Sequence, residues 1–168
     1  MPDIGSRKMK LILSLGSNIG DKENNIRRAV ALINDKVGSV VKMSSLYRSE
    51  PVGFVSDNRF VNVVVEVCTK LPVYRVLKVT QKIEKALGRT QKSKNGVYRD
   101  RIIDIDIIFY SNYSTRSSKL TVPHPHFRER EFVMIPLLEI NHNTNIKYRL
   151  NLLPLRVVIL ANTIYEEI

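Results

Sequence analysis

Asp104 and Asp106 are the residues whose type and spacing most clearly suggest chemistry. They lie two apart in an otherwise apolar run, Ile102-Ile103-Asp104-Ile105-Asp106-Ile107-Ile108. In a strand, residues i and i+2 share a face, so both carboxylates project together, roughly 6–7 Å apart, while Ile103, Ile105 and Ile107 fill the other face. Two carboxylates on a half-buried strand are costly unless paired. A divalent cation removes that cost, and Mg²⁺ typically takes one or two carboxylates together with substrate phosphates. An ion pair with Arg99 or Arg101 would also satisfy them.

The segment just before this run is strongly basic. From Arg75 to Arg101 nine lysines and arginines face two acids, Glu84 and Asp100. That stretch holds most of a formal net charge of +11. A local positive field attracts phosphate, on a nucleotide or on nucleic acid, although a solvated helix face would also carry such charge. Carboxylates for Mg²⁺ beside arginines that neutralise a transferring group form the layout of phosphoryl transfer. Arg89, after a helix end, and Arg101, at a strand start, are the best placed cations; each could also be plain solvated charge.

Other candidates carry weaker signals. Gln81 and Glu84 stand at i,i+3 and share a helix face. His124 and His126 flank Pro125, with no third ligand near enough in sequence for zinc, so a phosphate-facing or loop role fits them better. Phe60 and Phe132 suit either a stacking pair or the core, and Asn62 could read the edge of a flat heterocycle. Gly16-Ser17-Asn18-Ile19-Gly20-Asp21 lacks both the P-loop and the dinucleotide pattern, and a turn with a helix cap explains it.

These residues need a frame. Lys10–Leu15 reads as a buried strand. Asp21 caps a helix with Ile26, Ala29, Val30, Ile33 and Val37 on one side, closed by Gly38. Val40–Tyr47 resumes β-like composition up to the break at Glu50-Pro51-Val52-Gly53. Phe60–Thr69 is rich in β-branched residues and reads as a strand. Pro72 opens a second helix that Gly88 stops. Arg89–Tyr98, with Asn95-Gly96, reads as a loop, Arg101–Tyr110 as a strand, and Phe132–Leu160 as an apolar tail. The order β-α-β-β-α-β is the split βαβ, or ferredoxin-like, arrangement: an α+β fold whose antiparallel sheet carries its helices on one face, followed by C-terminal additions.

The 168 residues suit one domain, expected over 9–168, with residues 1–8 a loose tail and Met9 a candidate start. One cysteine, Cys68, excludes a disulfide framework and a cysteine-based zinc cluster. No apolar run approaches the ~20 residues of a membrane helix, and the N-terminus lacks an apolar signal core. A cytoplasmic enzyme or binding protein, acting without a membrane, is expected.

The motifs together resemble the 6-hydroxymethyl-7,8-dihydropterin pyrophosphokinase family. The resemblance rests on LSLGSNIGD (Leu13–Asp21), SSLYRSEPVG (Ser44–Gly53), RFVNVVVEV (Arg59–Val67), QKIEKALGR (Gln81–Arg89), RIIDIDIIFY (Arg101–Tyr110) and VPHPHFREREFVMIPLLEI (Val122–Ile140), in the family's order across residues 11–140. It implies transfer of pyrophosphate from ATP to the hydroxymethyl group of the pterin, a step of folate biosynthesis. The hydroxyl attacks the β-phosphorus and AMP leaves. It also implies two Mg²⁺ ions on Asp104 and Asp106, and Arg89 and Arg101 as the catalytic arginines. ATP contacts fall on Gln81, Glu84, Arg89, Arg101, Ile107, His124 and Arg130. The pterin site falls on Ser49, Glu50, Val52, Phe60, Asn62, Asp104 and Phe132, with Tyr98 as an aromatic lid. Such an enzyme is expected to be a monomer that binds no nucleic acid. The alternative from the residues is a basic ferredoxin-like nucleic-acid-binding domain, although no RNP-type aromatic pattern marks the central strands. Three departures stand out: Gln91 occupies a place where the family often has an arginine, Asp100 stands where a proline usually precedes Arg101, and the tail after Ile140 matches the family poorly.

Overall fold

A computed structural model describes residues 7–90 and 98–141. β1 (Met9–Ser17), α1 (Lys22–Lys36), β2 (Gly38–Met43), β3 (Tyr47–Ser49), β4 (Phe60–Thr69), α2 (Val73–Ala86) and β5 (Asp104–Tyr110) follow one another. After them come a small hairpin, β6 (Thr115–Arg116) and β7 (Thr121–Val122), a 3₁₀ turn (Phe127–Glu129) and α3 (Glu131–Ile140). The main sheet runs β2-β4-β1-β5, with β3 also on β4, and every pairing is antiparallel. That is the ferredoxin-like order expected from the sequence.

Alternation along the strands sets two faces. Leu11, Leu13 and Leu15 of β1, Val61, Val63, Val65 and Val67 of β4, and Ile105 and Ile107 of β5 pack with α1 and α2 in one continuous core. α1 presents Ile26, Ala29 and Ile33 at helical spacing, and the Asp21 carboxylate accepts the Asn24 N–H to cap it. The opposite face differs from the expectation of helices on one side only. There Ile12, Val64 and Ile108 form a second apolar patch, and α3 covers it with Val133, Met134 and Leu137. Beyond that patch the same face turns polar, through Ser14, Asn62, Asp104 and Asp106.

Three boundaries depart from the sequence reading. β5 begins at Asp104 rather than Arg101, because the Arg101 backbone bonds instead to Asn18: its N–H donates to Asn18 Oδ1 at 2.7 Å and its carbonyl accepts the Asn18 N–H at 3.1 Å. Gly38 does not close α1 but opens β2; a Cβ there would sit 2.3 Å from the Cys68 carbonyl, so only glycine lets β2 approach β4. Gly88, at φ +104°, does end α2 in the left-handed region as expected. The Val40–Tyr47 segment splits into β2 and β3, because Ser44 bonds both backbone groups of Val64: its N–H donates to the carbonyl and its hydroxyl accepts the N–H. Gln91, the Asn95-Gly96 turn, most of the N-terminal tail and the apolar tail beyond Asn141 lie outside the described residues. No helix among the described residues is long and apolar enough to cross a membrane.

Candidate active site

The polar half of the α3-side face floors a cleft of about 380 Å³. Every site residue that the resemblance implies lines this cleft except Ile107, which is buried in the core on the other side of β5; His126 lies outside it, paired with Glu129 at 3.1 Å. The geometry separates into a charged end and an apolar slot.

At the charged end Asp104 and Asp106 project from β5 as the alternation requires, each partly exposed to the cleft. Arg89, brought in by the turn after α2, lies between two carboxylates: its Nη1 is 2.7 Å from Glu84 Oε1 and in contact with Asp104 Oδ1. Burial works against the Arg89 charge, but Asp104 and Glu84 outweigh it and raise its pKa further. Glu84, only 5% exposed, also accepts the Ile105 N–H at 2.8 Å. Its carboxylate thereby satisfies a backbone donor of edge strand β5 and fixes α2 against it. Gln81, one turn earlier, lines the cleft with it.

Asp106 has the most perturbed carboxyl group. Burial, then the neighbouring Asp104 charge, push its pKa up to about 7, against the opposing pull of Arg130 at 3.5 Å. His124 follows the cis Val122–Pro123 bond, and its backbone N–H is tied to Ile108. Its Nδ1 accepts the His126 N–H at 3.2 Å, which leaves Nε2 as the protonated nitrogen, 4.0 Å from Asp106. Burial and the adjacent Arg130 lower its pKa to about 4, so the imidazole is neutral near pH 7 and offers a hydrogen-bond donor.

Arg101 joins the two ends. Its guanidinium lies 5.2 Å from the Phe60 ring centroid and 5.8 Å from that of Tyr98. Its Nε is buried with no hydrogen-bond partner, 3.4 Å from Asp104 Oδ2. A buried charged donor without an acceptor is rare and calls for one.

The slot is lined by Phe60, Asn62, Ser49, Glu50, Val52 and Phe132. Phe60 is buried and braced edge-on by Phe54, while Arg130 lies 5.7 Å from the Phe132 ring. Asn62 is 2% exposed, and its amide hydrogens go to Ser49 Oγ at 2.9 Å and to the Tyr47 carbonyl at 3.3 Å. Its carbonyl oxygen then lies over Gly16, where a Cβ would come within 3.1 Å. Tyr98 rests against Gly53, which holds φ +84°.

Sequence reasoning missed Ser14, Gly16, Gly53, Leu77 and Ile105 on the walls. Gly16 had a usable signal, since it sits in the strand-ending motif opposite Asn62 in the β1–β4 register. Tyr47 and Glu139 were missed because their contribution is indirect. Glu139 of α3 accepts bonds from the Ser45 N–H, the Ser45 hydroxyl and the Tyr47 hydroxyl, and so ties β3, which holds Asn62, to the helix.

The charged end can hold a dication. Its two acids share a face, one of them resists ionisation, and arginines surround them. Among the described residues no group of three or more metal-ligating side chains converges, so other ligands would have to complete a metal's shell. Phosphate oxygens and water do this for Mg²⁺.

A family model described as 7,8-dihydro-6-hydroxymethylpterin-pyrophosphokinase (HPPK) matches residues 12–142. A Porphyromonas gingivalis protein named 2-amino-4-hydroxy-6-hydroxymethyldihydropteridine pyrophosphokinase is 44% identical over 129 residues, covering 76% of this chain and 88% of the relative. A Bacillus subtilis protein of the same name is 42% identical over 129 residues, covering 76% and 75%. Among solved structures, Plasmodium falciparum HPPK-DHPS with pterin and p-hydroxybenzoate superposes with a TM-score of 0.63 at 15% identity, covering 83% of this chain and 39% of that one, and so shares the fold. On the family match and these identities, the chain belongs to the 7,8-dihydro-6-hydroxymethylpterin-pyrophosphokinase family.

Proposed function

We propose that the cleft binds ATP at its charged end and 6-hydroxymethyl-7,8-dihydropterin in its slot, and transfers pyrophosphate from the first to the second. The products are AMP and the pterin diphosphate, an intermediate of folate biosynthesis. The observation that carries this reading is the pair Asp104 and Asp106 lining one cleft beside Arg89, Arg101 and Arg130, with a buried Arg101 Nε–H that makes no hydrogen bond.

Each side chain has a role that its surroundings support. Arg89 and Arg101 hold the phosphates of ATP and neutralise charge on the transferring group. Arg130 and the neutral His124, both beside Asp106, donate to phosphate oxygens. Gln81 and Glu84 bound the nucleotide on the α2 side, and Ile107 supports it from beneath through the backbone of β5. Phe60 and Phe132 stack the flat pterin ring. Asn62, locked by Ser49 and Tyr47, reads its polar edge, while Glu50 and Val52 close the wall and Tyr98 covers it. In this reading the slot and the charged end meet at Asp104, where the pterin hydroxyl would attack the β-phosphorus and AMP would leave. Asp104 and Asp106 would hold two Mg²⁺ ions, whose charge would offset that of the phosphates.

A nucleic-acid-binding module is the weaker reading. Paired carboxylates in the middle of the basic surface repel a phosphodiester backbone that lacks bound cations, and Phe60 is buried rather than presented. The test is one assay with ATP, Mg²⁺ and 6-hydroxymethyl-7,8-dihydropterin, followed by identification of the nucleotide product. AMP is expected; ADP would indicate simple phosphoryl transfer, and no product would overturn the proposal.

A further inference from the structure

Arg101 has its guanidinium between two rings, yet it lies outside the sheet, in the irregular segment before β5. Something other than the β-ladder must fix its backbone. The neighbouring Asp100 is the centre of what does. Asp100 Oδ1 accepts from Asn18 Nδ2 at 2.7 Å, and Oδ2 accepts from Asn58 Nδ2 at 2.7 Å. The Ser56 hydroxyl donates to the same carboxylate, and these bonds hold its pKa below the ordinary value. The partners come from two other segments: Asn18 from the turn between β1 and α1, Ser56 and Asn58 from the loop between β3 and β4.

Asn18 completes the enclosure. It is fully buried, and its Oδ1 accepts the Arg101 N–H, so its amide nitrogen is the end that faces Asp100. That nitrogen also donates to the Asn58 carbonyl at 3.2 Å. Three segments that meet nowhere in the sheet are thus joined at one carboxylate, one residue from Arg101. The chemistry at position 100 is specific. All three side-chain partners are donors, so the position calls for a group that only accepts, and an ionised carboxylate is such a group. An asparagine would turn its own NH₂ toward one of the neighbouring amides.

We propose that Asp100 is a positioning residue for the transfer reaction: by gathering Asn18, Ser56 and Asn58 it fixes the Arg101 backbone, so that the Arg101 guanidinium stays between Phe60 and Tyr98, beside Asp104. The role rests on the pyrophosphoryl transfer proposed above, while the enclosure itself is testable in the ligand-free protein.

The experiment compares wild type, Asp100→Ala, Asp100→Asn and Asp100→Asn/Asn58→Asp by amide hydrogen exchange and by steady-state kinetics. In the double variant the new amide at position 100 can accept from Asn18 and donate to the new carboxylate at position 58, so the enclosure re-forms with donor and acceptor exchanged. Both single variants should lose about tenfold in protection at the Arg101 and Asn18 amides, with β4 amides unchanged as the control for folding. Their kcat should fall about tenfold while KM for ATP moves far less, because a misplaced arginine affects transfer more than binding. The double variant should recover both protection and kcat. Unchanged protection at Arg101 in Asp100→Ala would overturn the proposal. So would a change in KM alone, which would make Asp100 a charge acting on ATP affinity. Wild-type protein that forms no AMP would instead overturn the functional reading, and the exchange comparison would still decide the positioning.

Discussion

Ile107 on one side of β5 is buried in the core that α1 and α2 complete, while Asp104 and Asp106 on the other side face an open cleft. The same seven-residue strand therefore belongs to two environments with opposite demands. The helix side is apolar and closed, and burial there contributes stability. The cleft side holds like charges close together, a neutral histidine and an arginine donor without an acceptor. Such features weaken a folded protein unless a ligand completes them. The strand is held to shape by its first face so that the second can keep a cluster of charges facing the cleft.

The largest effect that would test this division is on turnover. Asp104→Ala removes a carboxylate from the open face and nothing from the core. AMP formation should fall by about a thousandfold, on the scale of losing a preorganised charged group at a phosphoryl-transfer site. The melting temperature and far-UV circular dichroism should stay close to wild type. Activity above about a tenth of wild type would remove Asp104 from the chemistry.

Ile107→Ala makes the opposite cut, on the other face of the same strand. It deletes a buried side chain on the helix side and should cost about 2–4 kcal/mol in denaturant unfolding. Assayed where the variant remains folded, its kcat and its KM for ATP should lie within about threefold of wild type, since ΔΔG‡ reads only what the transition state loses. A large rise in KM would show that the Ile107 side chain, and not only the β5 backbone, supports the nucleotide.

The two faces of β5 also show what could be read from the sequence. Alternation in Asp104–Ile108 assigns residues to faces without any structure, and the β-branched run Phe60–Thr69 marks a central strand whose bounds agree with β4. Spacing could not reveal that the second face is shared between α3 and the cleft. The apolar residues that recruit α3, namely Ile12, Val64 and Ile108, lie on three separate strands and become one patch only when those strands pair. The double role of Glu84, on a strand-edge N–H and on Arg89, likewise depends on a tertiary contact and not on its i,i+3 relation to Gln81. Asp100 reads in the sequence as a departure from an expected proline, and its three side-chain partners come from segments about 40 and 80 residues away. Gly38 illustrates the converse error: a glycine after a helix suggests a cap, but here close strand approach requires it.

The smallest predicted effect concerns the energy stored in the open face. In the folded protein Asp106 has a pKa of about 7, whereas an unfolded aspartate titrates near 3.9. The folded state therefore binds this proton more tightly than the unfolded state. The stabilisation from that proton is complete below about pH 4 and is lost as pH rises through about 7. Asp106→Asn keeps the shape and cannot ionise, so its stability should lack this loss. In metal-free buffer the variant should gain on wild type between pH 5 and pH 8 by about 1–2 kcal/mol, a figure reduced because about a third of the Asp106 side chain is open to cleft water and Arg130 stands nearby. Added Mg²⁺ should raise the melting temperature of wild type at pH 8 more than that of the variant, because a ligand that binds only the folded state stabilises it. Thermal melts across this range, with chelator and then with Mg²⁺, provide the measurement. Parallel pH profiles for the two proteins would mean that Asp106 ionises without penalty in the empty cleft. The open face would then differ from the helix side in polarity but not in strain, and the division between the faces of β5 would rest on the turnover result alone.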